Sequence, residues 1–280
     1  MSAPSPAAAL PSTTLRDAIA LAGLDWIVPD WPAHSRVGAL STTRNGGVST
    51  GPRASLNLGR SVGDDARAVE ENRQRVARFL PAAPVWLHQT HGTTVATLTS
   101  STATGPAPLA DAAVTREPGI VCTVMTADCL PVLFADLRGS AVGIAHAGWR
   151  GLSLGVLEAT VSALSDLGSD AGDLATWLGP AIGPSRFEVG ADVRDRFCDG
   201  DPDSRIAFVP HVPGKWLADL YALARMRLSR AGVRRVSGGG FCTHSDEARF
   251  FSYRRERDTG RMATAIWLTP SRTRHDRAST

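Results

Sequence analysis

The chain has 280 residues, of which 43% are hydrophobic and 20% are charged. This composition is typical of a globular protein and excludes disorder along the whole chain. The formal net charge is only +3, and the basic residues are scattered rather than gathered into the patch that a nucleic-acid-binding domain usually has. We therefore expect no nucleic-acid partner.

A membrane location is also not expected. The most apolar stretch, 119–137, is interrupted by polar residues and by Pro131, so it lacks the roughly 18 uninterrupted apolar residues of a spanning helix. The first residues, MSAPSP, have neither the basic nor the apolar region of a secretory signal. Four cysteines in a chain of this length do not indicate a disulfide scaffold. The sequence thus predicts a cytoplasmic protein whose thiols are free for metal binding or nucleophilic catalysis.

The basic residues are almost all arginine. Lys215 is the only lysine among the 30 basic residues, which is the pattern that a base-composition bias of the source genome produces. Catalysis by a lysine nucleophile would rest on Lys215 alone. A phosphate-binding GxxxxGK[ST] loop is absent.

The N-terminal part begins with residues 1–11, which are rich in Ala, Pro and Ser and are predicted to be disordered. A short amphipathic helix is predicted from Leu15 to a stop at Gly23. A strand over 37–43 and a long glycine-rich loop over 43–59 follow.

A second helix is predicted to begin at a cap formed by Asp64 or Asp65 and to end before Pro81. One face of this helix carries Val69, Arg73, Val76 and Leu80. Strands dominate the middle of the chain, where continuous apolar runs are typical of strands covered on both faces. These strands are predicted over 84–87, 93–99, 119–125, 130–136 and 141–146.

The C-terminal part is predicted to contain two helices, over 153–167 and 215–231, and each is followed by a glycine. The closing strands are predicted over 233–241, 250–253 and 262–268, with a loose tail over 270–280. The chain has neither an internal repeat nor a linker-like segment. One mixed α/β domain is the simplest interpretation.

Three of the apolar strands are followed or ended by a reactive side chain, namely His91, Cys129 and His146. Two imidazoles and a thiolate are a ligand set that zinc accepts, and a catalytic zinc keeps a fourth position open for water. The spacing is unlike that of a zinc finger, so it alone does not distinguish ligands from hydrogen-bonded core histidines and a buried inert cysteine.

The same three residues admit two other chemistries. A histidine beside Cys129 would stabilise its thiolate and form a nucleophile–base pair. Copper is the other alternative, because two histidines and a cysteine are the blue-copper ligand set. A multicopper oxidase, however, needs many more histidines than one three-ligand site, and this chain has 7 in all. His88 is predicted to lie behind the ligands or on the surface.

Arginines in glycine-rich or polar loops form a second group of candidate site residues. Arginine forks suit phosphate or carboxylate groups, and glycine-rich loops expose backbone N–H donors. Arg44, Arg255 and Arg261 are the set that we expect to contact an anionic substrate, and a solvated surface or structural ion pairs are the alternative for each.

Three carboxylates accompany these groups. Asp111 and Asp128 are candidates for accepting hydrogen bonds from metal-bound histidines and thereby orienting the imidazole rings. Glu188 is a candidate general base, although a structural role fits it better.

Several motifs occur together and in order, and they resemble those of the YfiH-like laccase-domain family. Members of this family are described as polyphenol oxidases, purine nucleoside phosphorylases or peptidoglycan editing factors. The resemblance covers about 26–268, with 1–25 as an N-terminal extension and 269–280 as a C-terminal tail. The motifs are STTRNGGVS (41–49), SLNLG (55–59), VGDD (62–65), ENR (71–73), HQTHG (88–92), ADA (110–112), MTADCLPVLF (125–134), AHAGWRG (145–151), LGPAIGP (178–184), FEVG (187–190), CTH (242–244), FFSYRR (250–255) and TGRMA (259–263).

The resemblance implies an α+β fold, a single-domain layered α/β/β/α sandwich with mixed β-sheets, related to proposed cysteine hydrolases. It implies metal ligation by His91, Cys129 and His146, with Zn²⁺ as the cofactor and copper as a metal that binds in vitro. It also implies phosphorolysis of adenosine, inosine and methylthioadenosine, and deamination of adenosine. The partners would then be a purine nucleoside and phosphate, with Arg44, Arg255 and Arg261 as contacts.

The two implied reactions address different atoms. Zinc lowers the pKa of a bound water from about 15.7 to about 7, which suits attack on C6 of the purine, whereas phosphorolysis requires phosphate to reach C1′ of the ribose. One pose does not serve both atoms, so two binding orientations or phosphate bound at the metal are the available solutions. The rival functions are a Cys129/His146 hydrolase of peptidoglycan precursors, a copper polyphenol oxidase and a binding module without turnover.

Overall fold

The computed structural model describes residues 14–270. The disorder predicted for 1–11 and most of the predicted tail therefore lie outside the described residues. Within the described part, the helices are α1 (Leu15–Leu21), α2 (Ala66–Ala77), α3 (Trp149–Leu154), α4 (Val156–Asp166), α5 (Ala191–Cys198), α6 (Leu220–Arg230) and α7 (Tyr253–Glu256). Not one of these helices combines the length and the apolar character that crossing a bilayer requires.

Thirteen strands are formed by the described residues. The first seven are β1 (Val37–Ser41), β2 (Pro84–Trp86), β3 (Val95–Thr97), β4 (Ala112–Thr115), β5 (Val121–Thr126), β6 (Leu130–Asp136) and β7 (Val142–Ala147). The others are β8 (Leu174–Leu178), β9 (Glu188–Gly190), β10 (Phe208–Pro210), β11 (Lys215–Ala218), β12 (Arg235–Gly238) and β13 (Met262–Leu268).

Two large mixed sheets and one small sheet organise these strands. The four-stranded sheet has the order β1-β13-β5-β2, and the six-stranded sheet has the order β12-β8-β6-β7-β4-β3. In the first, β2 runs parallel to β5, which pairs antiparallel with β13. In the second, β6 lies antiparallel to both β7 and β8. The small sheet has the order β10-β11-β9.

The large sheets pack face to face, and helices cover their outer faces. Cys122 and Ile266 from one sheet share a buried cluster with Leu133 and Ile144 from the other. The outer face of the four-stranded sheet packs against α1 and α2, and that of the six-stranded sheet packs against α4 and α6. The layered α/β/β/α arrangement is thus confirmed. All seven residues of β6 are buried, as predicted for strands covered on both faces.

Several predicted elements have different bounds. The helix predicted over 153–167 begins at Trp149 and is divided at Gly155, whose φ of 102° is left-handed. The helix predicted over 215–231 is wrong in its first part, because 215–218 form β11 between β9 and β10 and the Asp219 side chain caps α6. A short apolar stretch fits a strand as well as a helical turn.

The strand predicted over 250–253 is also wrong. Phe250 and Phe251 are fully buried, but they pack as loop residues in a small core with Met262. The Ser252 side chain caps α7, which begins at Tyr253. The sequence prediction also omitted β4 and β8, two strands of the six-stranded sheet.

Candidate metal centre and its cavity

The structure brings His91, Cys129 and His146 together. His91 follows β2 in a short loop, Cys129 lies in the turn between β5 and β6, and His146 is on β7. Their ligand atoms all lie within 4.8 Å of one another. The two imidazole rings meet edge to face, with centroids 4.8 Å apart and an interplanar angle of 76°. Residues far apart in sequence thus form one potential coordination sphere.

The backbone around this cluster adopts uncommon conformations. His91 has a φ of 63°, and Asp128, which precedes Cys129, has a φ of 91°. Residues other than glycine rarely adopt positive φ, and such strain concentrates at functional sites. Gly148 supplies the space that the cluster needs, because a Cβ at this position would lie 2.8 Å from the Cys129 Sγ and 3.1 Å from the His91 ring.

Asp111 contacts the ring of His146 and the backbone of His91. Its Oδ1 lies 2.8 Å from the His146 Nδ1 and accepts the backbone N–H of His91 at 2.8 Å, and its Oδ2 accepts the backbone N–H of Gly92 at 2.7 Å. Burial acts to raise the pKa of Asp111, but the hydrogen bonds from His146, Gly92 and Thr90 hold it well below its ordinary value. The carboxylate thus fixes the His146 ring and leaves its Nε2 available to a metal.

The cluster stabilises the anionic form of the cysteine. Burial acts to raise the pKa of Cys129, but the charge and hydrogen bond of His146, together with His91, outweigh it and lower that pKa to about 6. Burial acts to lower the pKa of His146, and Cys129 and Asp111 raise it instead to about 9. The cluster therefore favours the thiolate form of Cys129, which is the form that binds metals and acts as a nucleophile.

The candidate ligands open onto a cavity of about 900 Å³. This volume lies within the range of pockets for small molecules and cofactors. Arginine, aromatic and amide side chains accompany the ligands along its wall. They include Arg60, Arg73, Trp86, His88, Gln89, Met125, Arg150, Tyr253 and Arg261. His88 is exposed at this wall and is not a member of the three-residue cluster.

The three arginines predicted as substrate contacts are not brought together. Arg261 lines the cavity. Arg44 instead donates to the backbone carbonyls of Ala54 and Glu247. Arg255 donates to the carbonyls of Thr243, His244 and Phe250, and both side chains contact Glu256. The side chains of Arg44 and Arg255 thus hold the loops beside the cavity. Contact of these two arginines with a substrate stays a prediction.

The other two candidate carboxylates, Asp128 and Glu188, hydrogen-bond to groups other than His91 and His146. Asp128 accepts the Thr243 hydroxyl at 2.6 Å and the backbone N–H of Arg254 at 2.6 Å, so it ties together the two C-terminal loops. Glu188 lies 2.9 Å from the exposed ring of His211, and it is not among the residues that line the cavity.

Arg73 and Trp86 are cavity residues that the sequence prediction missed. The Arg73 guanidinium lies 4.0 Å from the ring centroid of Trp86. Sequence reasoning had put Arg73 on the apolar face of α2, and a cation on such a face is itself the signal of a special role. Trp86 lies in β2 and carried no comparable signal.

The fold and the site define a layered α/β/β/α protein with a two-histidine, one-cysteine candidate metal centre on a small-molecule cavity. A family model described as multi-copper polyphenol oxidoreductase laccase matches residues 38–269. The chain therefore belongs to this laccase-domain family, which also includes the YfiH proteins.

Proteins similar to this chain come from Pseudomonas aeruginosa, Escherichia coli and Neisseria meningitidis. A purine nucleoside phosphorylase of Pseudomonas aeruginosa is 55% identical over 244 residues, which are 87% of this chain and 98% of that protein. The purine nucleoside phosphorylase YfiH of Escherichia coli is 52% identical over 86% of this chain and 98% of its own length. The crystal structure of the Neisseria meningitidis protein NMB0706 superposes with a TM-score of 0.83 at 48% identity, covering 88% of this chain and 100% of that one.

Proposed function

We propose that the chain is a zinc-dependent purine nucleoside phosphorylase that acts on adenosine, inosine and methylthioadenosine and also deaminates adenosine. The observation that carries the proposal is the meeting of His91, Cys129 and His146 at a cavity of about 900 Å³. Relatives that share about half of their residues with this chain bear the name purine nucleoside phosphorylase. The proposed functional unit is 26–268, and the cytoplasm is the compartment that suits its reduced thiols.

The donor set fits zinc. One thiolate and two imidazoles are soft and borderline ligands, and three protein ligands leave a tetrahedral ion one position for a water or a substrate. The orienting carboxylate of Asp111 is the partner that zinc-bound histidines commonly have. When bound, zinc supplies a Lewis acid and lowers the pKa of a coordinated water.

The side chains of the cavity supply binding and orientation. Trp86 and Tyr253 offer aromatic surfaces to a purine, and Arg261 offers a cation to a phosphate. Phosphorolysis requires an anion at C1′ of the ribose, whereas deamination requires the C6 edge of the purine to face the centre. We propose two orientations of the nucleoside in the same cavity.

A second candidate function is a cysteine hydrolase that acts on peptidoglycan precursors. The lowered pKa of Cys129 beside His146 favours it, because a thiolate next to an imidazolium is an activated nucleophile. A covalent substrate adduct on Cys129 in active, metal-free protein would support this alternative. An intense blue absorption band with oxygen consumption in natively metallated protein would instead support a copper oxidase.

Metal analysis combined with phosphate-dependent release of hypoxanthine from inosine tests the proposal. We expect one zinc per wild-type chain, and we expect Cys129→Ala and His146→Ala to lose both the metal and the turnover. Cys198→Ala and His211→Asn are matched controls, because Cys198 is buried at the end of α5 and His211 is exposed beside Glu188. Full phosphorolysis by a zinc-free ligand variant would refute the proposal.

A further inference from the structure

Arg73 is a buried cation without an acidic partner. The residue is 8% exposed, its Nε donates to the Leu58 carbonyl at 3.0 Å, and its Nη2 lies 3.8 Å from the Met125 sulfur. Within residues 14–270, its guanidinium has no carboxylate oxygen within 4.0 Å. Because removing a charge from water is costly, buried charges in proteins are normally paired.

The Arg73 side chain keeps its charge at neutral pH. Burial, with a further contribution from the positive charge of Arg60 and against a smaller opposing one from the Glu70 carboxylate, lowers the pKa of Arg73 only to about 10. The Trp86 ring at 4.0 Å compensates part of the lost hydration through a cation–π contact. The terminal nitrogens still donate to no described oxygen, so they are available to an anion in the cavity.

Arg261 presents a second free guanidinium edge to the same cavity. Its Nη1 donates to the backbone carbonyls of Thr259 and Gly260, at 3.0 Å each. Its Nε and Nη2 donate to no oxygen of the described residues, and an Nε/Nη2 edge is the part of arginine that binds an oxyanion in a bidentate manner. The guanidinium is also close enough to Cys129 and Asp128 to feel their charges.

Leu58 joins the two arginines. Its carbonyl accepts from the Arg73 Nε, and its N–H donates to the backbone carbonyl of Arg261 at 3.0 Å. Asn57 fixes the same segment, since its Oδ1 accepts the N–H groups of Arg261 and Gly59, both at 2.9 Å. The loop thus contacts the Arg73 side chain and the Arg261 backbone, and both arginines line the cavity.

The other two cavity arginines are less suited to bind an anion. Arg60 is exposed and pairs with Glu70 at 2.9 Å. Arg150 is exposed and stacks on Trp149. Hydration satisfies both of these charges, whereas the desolvated, unpaired cations of Arg73 and Arg261 gain more from an anionic ligand.

We propose that Arg73 and Arg261 form the anion subsite of the cavity and that this subsite takes inorganic phosphate as the co-substrate. The co-substrate role rests on the proposed function, whereas the binding of phosphate does not. In the reaction, a phosphate oxygen forms the bond to C1′ while the C1′–N9 bond breaks and its electron pair stays on the purine. The purine takes up the proton that hydrogen phosphate carried, so atoms and charge balance without a further reactant.

The test compares Arg73→Gln and Arg261→Gln with wild type in two assays. Isothermal titration calorimetry with inorganic phosphate measures binding without turnover. Steady-state kinetics with inosine measures the KM for phosphate and for inosine separately. We expect each variant to weaken phosphate binding and to raise the phosphate KM by about 10- to 100-fold, with less than about a threefold change in the inosine KM, because the charged contact is made to the phosphate.

Three further variants and probes make the result decisive. Arg78→Gln removes the same charge from an exposed position at the end of α2, and we expect wild-type values from it. Arg73→Lys keeps the charge without the planar fork, so partial recovery of phosphate affinity is expected. Inosine 5′-monophosphate is titrated in parallel to separate a free phosphate from a phosphate ester.

Unchanged phosphate affinity in Arg73→Gln would overturn the subsite. Unchanged affinity in Arg261→Gln would overturn it too, and this variant decides the question if Arg73→Gln does not fold. Loss of stability with an unaltered phosphate KM would assign Arg73 a structural role and would also overturn it. Arginine-dependent binding of inosine 5′-monophosphate without binding of inorganic phosphate would overturn the co-substrate role. The wild-type protein could bind phosphate through Arg73 and Arg261 and yet have no phosphorylase activity. That result would support the subsite and refute the proposed function, so the two failures are distinguishable.

Discussion

Asp111 holds the ring of one candidate histidine ligand and the backbone of the other. It contacts the His146 ring and the backbone N–H groups of Thr90, His91 and Gly92. The backbone contacts compensate for the positive φ of His91, because a strained residue persists only when its surroundings hold it in place. The carboxylate therefore acts on the metal centre without belonging to the three-residue cluster.

The first prediction concerns this carboxylate. Asp111→Asn keeps the size of the side chain but weakens its hydrogen bonds, so we expect zinc affinity to fall by about 10- to 100-fold. Competition with a chelator measures the affinity. Glu188→Gln is the matched control, because Glu188 also pairs with a histidine at 2.9 Å but lies outside the cavity. Equal zinc affinity of both variants and wild type would contradict an orienting role for Asp111.

A second prediction concerns stability and pH. Asp136 at the end of β6 is fully buried and accepts hydrogen bonds from the backbone and guanidinium of Arg138. Burial acts to raise the pKa of Asp136, but the hydrogen bonds from Arg138 lower it below the ordinary 3.8. Because the folded-state pKa is depressed, the carboxylate stabilises the fold above the unfolded pKa, and this contribution is lost as the pH falls through the folded pKa.

Asp136→Asn should therefore lower the free energy of unfolding by about 1–3 kcal/mol at neutral pH. The difference from wild type should shrink as the pH falls below about 4. Urea unfolding measures this difference in the free energy of unfolding between pH 7 and pH 3, at each pH where both proteins are folded without urea. A difference that stays constant across this range would show that the ionisation of Asp136 contributes nothing.

At the scale of elements, the candidate centre forms where β7 turns into α3. His146 lies in β7, and Gly148 follows it as the N-cap of α3, with extended backbone angles. Because this position has no Cβ, the turn approaches the Cys129 sulfur closely. The chain direction after β7 thus depends on a glycine for reasons of space rather than of backbone conformation.

Gly148→Ala is the third prediction. The added methyl group would lie 2.8 Å from the Cys129 Sγ and 3.1 Å from the His91 ring, so the ligands must move apart. We expect zinc content and turnover to fall by at least about tenfold, since small displacements of a catalytic group have large effects. Gly172→Ala is the control, because nothing lies within 4 Å of its added Cβ. Unchanged zinc content in Gly148→Ala would contradict this account of the turn.

The sequence predicted the strands that carry the centre better than the elements around them. The apolar runs of β5, β6 and β7 lie between two packed layers, so their composition reflects their burial. The segments 215–218 and 250–253 were misassigned because a few apolar residues fit a strand, a loop or a helical turn equally well. Sheet pairing and core packing decide such cases, and neither is encoded locally.

At the scale of the whole molecule, residues far apart in sequence meet because β2 and β5 are neighbours in one large sheet and β6 and β7 are neighbours in the other. The chemistry of the candidate ligands was visible in the sequence, since reactive side chains follow apolar strands. The desolvated position of Arg73 was not, because it depends on Trp86 and on the Leu58 carbonyl from other segments. Residue type thus predicted the candidate ligands, and packing was needed to find the arginines that lack a carboxylate partner.

Zinc K-edge X-ray absorption of the natively metallated protein tests the central claim most directly. We predict one sulfur scatterer at about 2.3 Å and two imidazole nitrogens at about 2.0–2.1 Å. This shell should be retained in Cys198→Ala and lost together with the bound zinc in Cys129→Ala. A zinc shell without sulfur in the wild-type protein, or a spectrum that Cys129→Ala leaves unchanged, would contradict the claim that these three side chains hold the ion.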